Sequence, residues 1–427
     1  MALSLVLANS AKTRFGVCSL MYFAQGIPRG LLSIAIPAWL AASGVSASEI
    51  ASYLAVIILP WAFKLLSGPF MDRYEYLPMG RRRPWVLGAQ LGLTLSLIAL
   101  VLVKDPVEQI GLLMILGVLV NTFTATQDVA VDGMAIELVP DLEQGRLNAF
   151  MGFGKTIGWA SASAVSGVML VTWGLPATAI VSAIVTGLIF VAFLFVRERS
   201  GEKILPWMQG QAASAHGETR GFFDVFRGLN AVMWSRVSII VLLIMFFDGL
   251  VAGYGHALMP VAAINLFGYT TPQWSQLVAT MGLVGAVVAL CAGPLIDRFG
   301  AKRMLSVTVA LVATHAFVLA QTQQLWQDTG YVRVMLAIWV MMEPITMVCV
   351  LALAMAICSQ AVSATQFAIY MSTANLGSSV GSKAYGMVAD STSYDQSYML
   401  LGLLMLLTLG IILLFRHHTP DSEKAAN

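Results

Sequence analysis

Two aspartates lie four residues apart inside a long apolar stretch, together with two uncharged polar residues. Asn121, Thr124, Asp128 and Asp132 recur at intervals of three or four, so an α-helix would present them as one polar stripe. Two nearby carboxylates in a partly dry environment resist ionising together, and such a pair can carry a proton near neutral pH. The stripe therefore favours a proton-carrying pair. The alternatives are that both carboxylates only pair with buried cations and fix helix packing, that they contact a ligand, or that they lie in a loop.

Three basic residues, Arg29, Lys64 and Lys155, lie in neighbouring apolar stretches. Together they could neutralise an anionic ligand, because Arg binds carboxylate or phosphate through two N–H groups and Lys acts as a mobile point charge. The alternative is that the three cations balance Asp128 and Asp132. Lys64 could also extend its ammonium group toward the edge of the apolar stretch.

Further polar residues interrupt the apolar stretches of the second half. Asp248 in "FFDGLV" occupies the position of Gln25 in "FAQGIP", and Glu343 precedes Pro344, which kinks a helix and frees a carbonyl. Asp248 and Glu343 are therefore further candidates for carrying protons, with a hydrated Glu343 near a helix end as the alternative. His256 and His315 could titrate, although hydrogen-bonded helix residues are the favoured interpretation. The remaining candidates for ligand contact are Gln25, Asn375 and Lys383.

The composition is that of a membrane protein. The chain has 427 residues, of which 58% are hydrophobic and 11% charged, and its mean hydropathy is +0.80. Soluble domains carry about 25% charged residues. The four cysteines show no metal-binding or disulfide spacing, and no phosphate-binding loop, zinc-protease motif or serine-hydrolase motif is present. We therefore predict no metal, no cofactor, no nucleic-acid partner and no enzymatic activity.

Apolar runs long enough to cross a bilayer recur along the whole chain. Helices are expected there, because a helix satisfies its own backbone hydrogen bonds in lipid. The sequence thus predicts an all-α membrane protein with twelve spans, near residues 15–41, 49–70, 85–103, 109–138, 146–171, 174–196, 237–263, 273–296, 304–322, 331–360, 365–388 and 396–415.

The basic residues predict the orientation of these spans. Of the 24 Lys and Arg residues, only Lys104 and Arg333 fall on one predicted side, four lie within spans and the rest fall on the other side. Because cytoplasmic loops are enriched in Lys and Arg, both termini are predicted to be cytoplasmic.

A polar connection divides the chain into two halves of six spans. It is rich in Gly, Ala and Ser, and its apolar residues near 222–229 predict a short interfacial helix. The predicted organisation is a six-helix bundle at 1–196, a cytoplasmic linker at 197–236, a second six-helix bundle at 237–416 and a cytoplasmic tail at 417–427.

One charged phrase occurs after the second span of each half. "GPFMDRYEYLPMGRRRP" begins at Gly68 and "GPLIDRFGAKR" begins 225 positions later, at Gly293. The pairs "GKTIG" and "GSSVG" recur at a similar offset, and their small residues allow close helix approach. These repeats predict two parallel structural repeats with a solute site between them.

The twelve spans, the central linker and the repeated phrase resemble the major facilitator superfamily. The resemblance implies alternating access, with the phrase tying cytoplasmic helix ends together in the outward-open state. The first copy departs from the family pattern, because five residues separate its aromatic residue from Gly80, and its loop is expected to gate differently. The residues implied in gating are Asp72, Arg73, Gly80, Arg81 and Arg82, and Asp297, Arg298, Gly300, Lys302 and Arg303.

A second resemblance covers about residues 20–160. "FAQGIP", "WAFKLLSGPFMDRY", "GRRRPWVL", "TATQDVAVDGMAIELVP" and "EQGRLNAFMGFG" are similar to the AmpG-type muropeptide permeases, whose relatives include acetyl-CoA transporters and single-chain siderophore importers. The resemblance implies a monomeric, multi-pass transporter of the inner membrane that contacts lipid, protons and a small-molecule solute. We expect proton-coupled uptake of a muropeptide-like anionic or amphiphilic solute. The alternatives are a siderophore or acetyl-CoA-like solute, export instead of uptake, a membrane-embedded enzyme and a receptor that does not transport.

Overall fold

A computed structural model describes residues 5–74, 76–210, 233–358 and 363–415. The predicted interfacial helix near 222–229 and the tail at 417–427 lie outside this part of the chain. The helices of the first half are α1 (Ala11–Pro28), α2 (Ile36–Ala42), α3 (Ala47–Ile57), α4 (Leu59–Phe63), α5 (Ser67–Arg73), α6 (Arg83–Ala99), α7 (Ile110–Leu138) and α8 (Asp141–Leu194). The helices of the second half are α9 (Arg236–Asn265), α10 (Thr271–Phe299), α11 (Ala301–Gln321), α12 (Thr329–Ala356), α13 (Ser363–Val388) and α14 (Tyr394–Leu414).

Helix α8 consists of two arms that meet at Gly174. This glycine has φ 76°, outside helical geometry, and the chain turns back there. Glu143 in the first arm forms an ion pair with Arg14 at 2.5 Å, and Val196–Arg197, just after the second arm, pairs with Leu5–Val6, just before α1. Both ends of α8 therefore lie on the side where α1 begins, which we call the terminal side, and the opposite side is the far side.

The first two predicted spans are helical rods with irregular centres. Helix α1 ends at Pro28 and continues through a π-helical segment, Arg29–Ala35, into α2. The second rod runs from α3 through α4 and a 3₁₀ turn at Lys64–Leu66 to α5, with Pro60 near its break. Proline removes a backbone donor and perturbs the helix before it. These irregular centres carry two of the predicted ligand-contacting residues.

Nine stretches of the described chain are long and apolar enough to cross a membrane. Both arms of α8 count there as one stretch, Arg146–Leu194, and neither the first rod nor α13 is among the nine. The helices agree with the predicted all-α membrane fold. The exact number of twelve spans and the cytoplasmic position of the termini stay predictions.

Within each half, glycines bring one pair of helices into close contact, and the two pairs occupy equivalent positions in the repeat. A Cβ built on Gly26 would lie 2.4 Å from a backbone nitrogen of α8, and one on Gly158 would lie 2.2 Å from a carbonyl oxygen of α1. In the second half, a Cβ on Gly249 or Gly381 would lie 1.9 Å from a carbonyl oxygen of α13 or α9, respectively. Each of these glycines lies 223 positions from its counterpart. The predicted structural repeat is therefore confirmed, and its helices pack reciprocally through glycine.

Hydrogen bonds join the two halves on the far side. Ser379 donates to the carbonyl of Ala55 at 2.7 Å, and Ser163 donates to the carbonyl of Ser275 at 3.1 Å. Helices α3 and α10 begin nearby, at Ala47 and Thr271, so these contacts lie toward the far side. Both hydrogen bonds therefore connect the halves toward the far side.

The reciprocal glycines make a prediction about stability. Gly381→Ala would place a methyl group 1.9 Å from the carbonyl oxygen of Leu250, and overpacking of this kind costs about 1–3 kcal/mol. We expect a lower midpoint of thermal unfolding in detergent. Gly410→Ala is the matched control, because a Cβ at Gly410 meets nothing within 4 Å and alanine favours a helix by about 1 kcal/mol over glycine. Equal midpoints for the two variants would contradict the tight contact.

Candidate functional site

The carboxylate of Asp128 lies between two lysine side chains. Its Oδ2 is 2.8 Å from Nζ of Lys64, and its Oδ1 is 3.7 Å from Nζ of Lys155. Only 4% of the Asp128 side chain is exposed. Asp132, one turn further along α7, accepts a short hydrogen bond from the hydroxyl of Tyr22. Asp128 thus pairs with two cations, as the alternative interpretation expected, whereas the partner of Asp132 is a tyrosine hydroxyl. Proton transfer through these carboxylates stays a prediction.

The indole of Trp61 supports the two lysines, and the sequence interpretation missed it. Nζ of Lys64 lies 5.6 Å and Nζ of Lys155 5.1 Å from the centre of its ring, which permits cation–π attraction. The indole N–H donates to Oδ1 of Asn121 at 2.8 Å, which holds the ring in place. Tyr22 was missed as well, although its ring lies 5.3 Å from Nζ of Lys155. The position of Trp61 three residues before Lys64 was the available signal.

A second charged cluster joins the two halves of the protein. Nη2 of Arg29 lies 2.6 Å from Oε1 of Glu343, and Nε2 of His256 lies 3.2 Å from the same oxygen. The guanidinium carbon of Arg29 lies 5.7 Å from the ring centre of Trp159. Arg29 therefore pairs with Glu343 of the other half, and does not balance the two aspartates of α7 as the alternative interpretation supposed.

The other predicted ligand-contacting residues lie at different depths. Asn375 donates from Nδ2 to the carbonyl of Trp61 at 3.2 Å, near the middle of the bundle. Lys383 donates to Ser52 at 3.1 Å, further toward the far side. Gln25 is buried, and its amide atoms have no hydrogen-bond partner in the described part of the chain. The structure therefore brings Asn375 close to the charged clusters and places Lys383 in the far-side contact.

Asp248 lies two turns before His256 on α9 and is partly exposed. Within the described residues its carboxylate has no hydrogen bond or ion pair. Its predicted repeat counterpart Gln25 lies 223 positions earlier, the same spacing as that of the paired glycines. A role for Asp248 in carrying protons stays a prediction.

The first copy of the repeated phrase is anchored within its own half. Gly80 has φ 105°, and the next three backbone N–H groups, of residues 81–83, donate to the carboxylate of Glu198 at 2.5–2.9 Å. Arg81 and Arg82 also form ion pairs with Glu137 at 3.4 and 2.9 Å. The first copy departs from the family pattern in sequence, and in the structure its loop is held by Glu198, just after α8.

Arg83 ties the same loop to the start of the linker. Its guanidinium is fully buried and donates to the carbonyls of Leu194, Lys203 and Ile204 at 2.6–2.9 Å. Nearby, strand β1 (Leu5–Val6) pairs in parallel with β2 (Val196–Arg197). The chain start, the loop and the linker start thus form one packed unit on the terminal side.

The second copy of the phrase has different partners. Gly300 has φ 87° between α10 and α11, and Nζ of Lys302 donates to the carbonyls of Leu413 and Phe415 at the end of α14. Arg298 lies over the ring of Phe299 and Arg73 over that of Tyr74. Arg303 is exposed. The side chains of Asp72 and Asp297 lie outside the described part of the chain, so the gating role of both copies stays a prediction.

Removing the carboxylate of Glu198 should loosen the first loop. Glu198→Ala leaves three backbone N–H groups without their acceptor, and we expect the free energy of unfolding to fall by about 1–3 kcal/mol. Thermal unfolding in detergent measures this change. Glu108→Ala, at an exposed position between α6 and α7, is the control, and a fall of equal size there would contradict the anchoring role.

The charge of Glu198 also predicts a dependence on pH. Burial raises the pKa of Glu198, although the three backbone N–H groups act to lower it. A carboxyl whose folded pKa is raised contributes stability below its unfolded pKa of about 4.3 and loses that contribution as pH rises through the folded pKa. Wild-type protein should therefore lose thermal stability relative to Glu198→Gln as the pH rises above about 4.3. A difference that stays constant with pH would contradict the shift.

Spanning-length helices, an internal repeat and charged clusters between two halves together define a class of protein. These features are typical of membrane transporters in which the solute path runs between two helical bundles. Residues 18–382 match the Major Facilitator Superfamily, and the chain belongs to that family. Membership makes it a multi-pass membrane transporter of a small-molecule solute, and not an enzyme, as the sequence predicted.

Relatives and solved structures agree with this membership. The anhydromuropeptide permease of Escherichia coli (strain K12) is 28% identical over 145 residues, which are 34% of this chain and 29% of the permease. The chain thus matches less than a third of that relative's length. The Rickettsia conorii protein "Putative transporter AmpG 4" is 24% identical over 414 residues, 91% of this chain and 93% of the relative. The inward-open structure of the xylose transporter XylE from E. coli has a TM-score of 0.71 at 16% identity, covering 96% of this chain and 98% of XylE.

Proposed function

We propose that the protein imports a muropeptide-like solute together with protons across the inner membrane by alternating access. The observation that carries this proposal is the buried carboxylate of Asp128 between the ammonium groups of Lys64 and Lys155. A muropeptide as the solute is supported by the similarity to the E. coli anhydromuropeptide permease. The excess of cations over carboxylates in the first half of the site favours an anionic solute.

Coupling follows from the counter-charge that Asp128 supplies to both lysines. When Asp128 takes up a proton, the two ammonium groups lose this counter-charge. An unpaired charge in the middle of a bilayer costs about 2.5–3.5 kcal/mol or more, so an anionic solute then binds more favourably. Linkage makes the relation reciprocal, and a bound anion favours protonation of Asp128. Proton and anion therefore load together.

Alternating access requires the far-side contacts to open while the terminal side closes. The contact of Ser379 with Ala55 and the contact of Ser163 with Ser275 hold the halves together on the far side. The many basic residues of the terminal side favour a cytoplasmic position for it. With that orientation the far-side contacts close the outer side of the site, as expected of the state from which a proton and an imported solute leave.

The coupling is tested with Asp128→Asn in proteoliposomes. Asparagine keeps the shape of the side chain but cannot gain or lose a proton. We expect an imposed pH gradient to drive accumulation of labelled anhydromuropeptide by the wild type, with at least about a tenfold loss in the variant. Exchange of internal for external solute should remain in part, because exchange needs no net proton movement.

Asp328→Asn is the matched control. Asp328 caps the start of α12 through hydrogen bonds to Gly330 and Tyr331, and asparagine caps a helix about as well. Its uptake should stay at the wild-type level. Wild-type uptake that does not depend on the pH gradient would contradict proton coupling. Exchange of other anions without any transport of anhydromuropeptide would contradict the proposal that the solute is muropeptide-like.

A further inference from the structure

The ion pair between Arg29 and Glu343 faces the space between the two halves. Arg29 begins the π-helical segment of the first half, and Glu343 lies in α12 of the second half. The distance between Nη2 of Arg29 and Oε1 of Glu343 is 2.6 Å, and the two side chains keep 39% and 36% of their surface exposed. Although both residues lie near the middle of their helical rods, their charged groups are accessible.

The guanidinium group of Arg29 has capacity for another anion. It carries five N–H donors, and the hydrogen bond found for it in the described part of the chain is the one to Glu343. Trp159 lies against it at 5.7 Å, and stacking on an aromatic ring holds a guanidinium in a defined plane. A planar guanidinium held in this way can bind a carboxylate or phosphate group through two parallel hydrogen bonds.

We propose that Glu343 is an internal ligand of Arg29 which a carboxylate or phosphate group of the solute displaces on binding. This inference rests on the proposed function, because it needs an anionic solute in the space between the halves. Glu343 thereby determines how strongly the site binds anions and acts as a specificity-determining residue. Solutes without an anionic group would leave the pair of Arg29 and Glu343 intact.

The displacement exchanges one carboxylate for another at the same guanidinium. Arg29 keeps an anionic partner, so no unpaired cation is created within the membrane. Glu343 keeps His256, whose Nε2 already lies 3.2 Å from the same oxygen. Arg29 therefore has an anionic partner before and after the exchange, which costs less than breaking its ion pair outright.

Both residues occupy positions where the helix backbone is irregular. Arg29 follows Pro28 at the start of the π-helical segment, and Glu343 precedes Pro344 inside α12. Single π-helical turns occur frequently at functional sites, and a proline within a helix removes one of its hydrogen bonds. These irregular positions give the two side chains room to separate by small backbone movements.

Displacement would also release a connection between the two halves. The pair joins the first half to α12 near the middle of the bundle, together with the hydrogen bond from Asn375 to Trp61. Once Glu343 leaves Arg29, the far-side contacts remain to hold the halves together. Anion binding thus removes one of the connections between the halves near the middle of the bundle.

The test compares anion affinities of the wild type, Glu343→Gln and Arg29→Gln in detergent. Acetate, inorganic phosphate and anhydromuropeptide are titrated separately, and tryptophan fluorescence is the signal because Trp159 lies against Arg29. Glu343→Gln should bind at least one of the two small anions about tenfold more tightly, as expected if Glu343 occupies Arg29 in about nine-tenths of the wild-type molecules. Arg29→Gln should abolish this binding. A gain confined to acetate assigns a carboxylate ligand, and one confined to phosphate assigns a phosphate ligand.

The control and the double variant separate displacement from a structural role. Glu143→Gln breaks the ion pair with Arg14, which has a similar length of 2.5 Å but lies on the terminal side, and it should leave all affinities unchanged. Unchanged or weaker binding of both small anions by Glu343→Gln overturns the proposal, as does a gain that persists when Arg29→Gln is added. If anhydromuropeptide binds to none of these proteins, the proposed solute is wrong, while acetate and phosphate still decide whether Glu343 is displaced.

Discussion

A charged side chain inside a bilayer needs a counter-charge, because an unpaired charge there costs several kcal/mol. This requirement accounts for the arrangement of Asp128 between Lys64 and Lys155 and of Glu343 beside Arg29. A buried ion pair by itself is weak support for stability, since desolvation offsets much of the attraction. Charges that can exchange partners are instead useful for transport, because each exchange links a proton or an anion to the position of a helix.

The scaffold is repeated along the chain, whereas its charges are not. The four glycines that bring α1 to α8 and α9 to α13 recur with a spacing of 223 positions. At the same spacing, Arg29 corresponds to Ala252 and Lys155 to Ser378. Close backbone packing thus recurs in both halves, and most of the cationic chemistry belongs to the first. The two halves therefore offer different surfaces to a solute between them, as the proposed displacement of Glu343 from Arg29 requires.

Sequence patterns predicted what depends on neighbouring residues. Apolar runs predicted the helices, "GKTIG" and "GSSVG" predicted close packing, and the interval between Asp128 and Asp132 predicted a shared polar face. Pairings across the fold could not be predicted in this way, because Arg29 and Glu343 are 314 residues apart in the chain. His256 was interpreted as an ordinary helix residue for the same reason. Trp61 was not recognised, because its place three residues before Lys64 shows a contact with both lysines only once Lys155 of another helix is located.

The two copies of the charged phrase show how one motif acquires two local roles. In the second copy, Gly300 joins α10 directly to α11, and Lys302 binds the last carbonyl groups of α14. In the first copy, the additional residues before Gly80 form a longer loop, and Glu198 accepts its backbone N–H groups. A Cβ at Gly80 would lie 2.8 Å from the carboxyl carbon of Glu198, so this loop needs glycine there for space as well as for its φ angle. Any movement that shifts this loop must therefore also move the start of the linker, because Glu198, Lys203 and Ile204 all bind the loop.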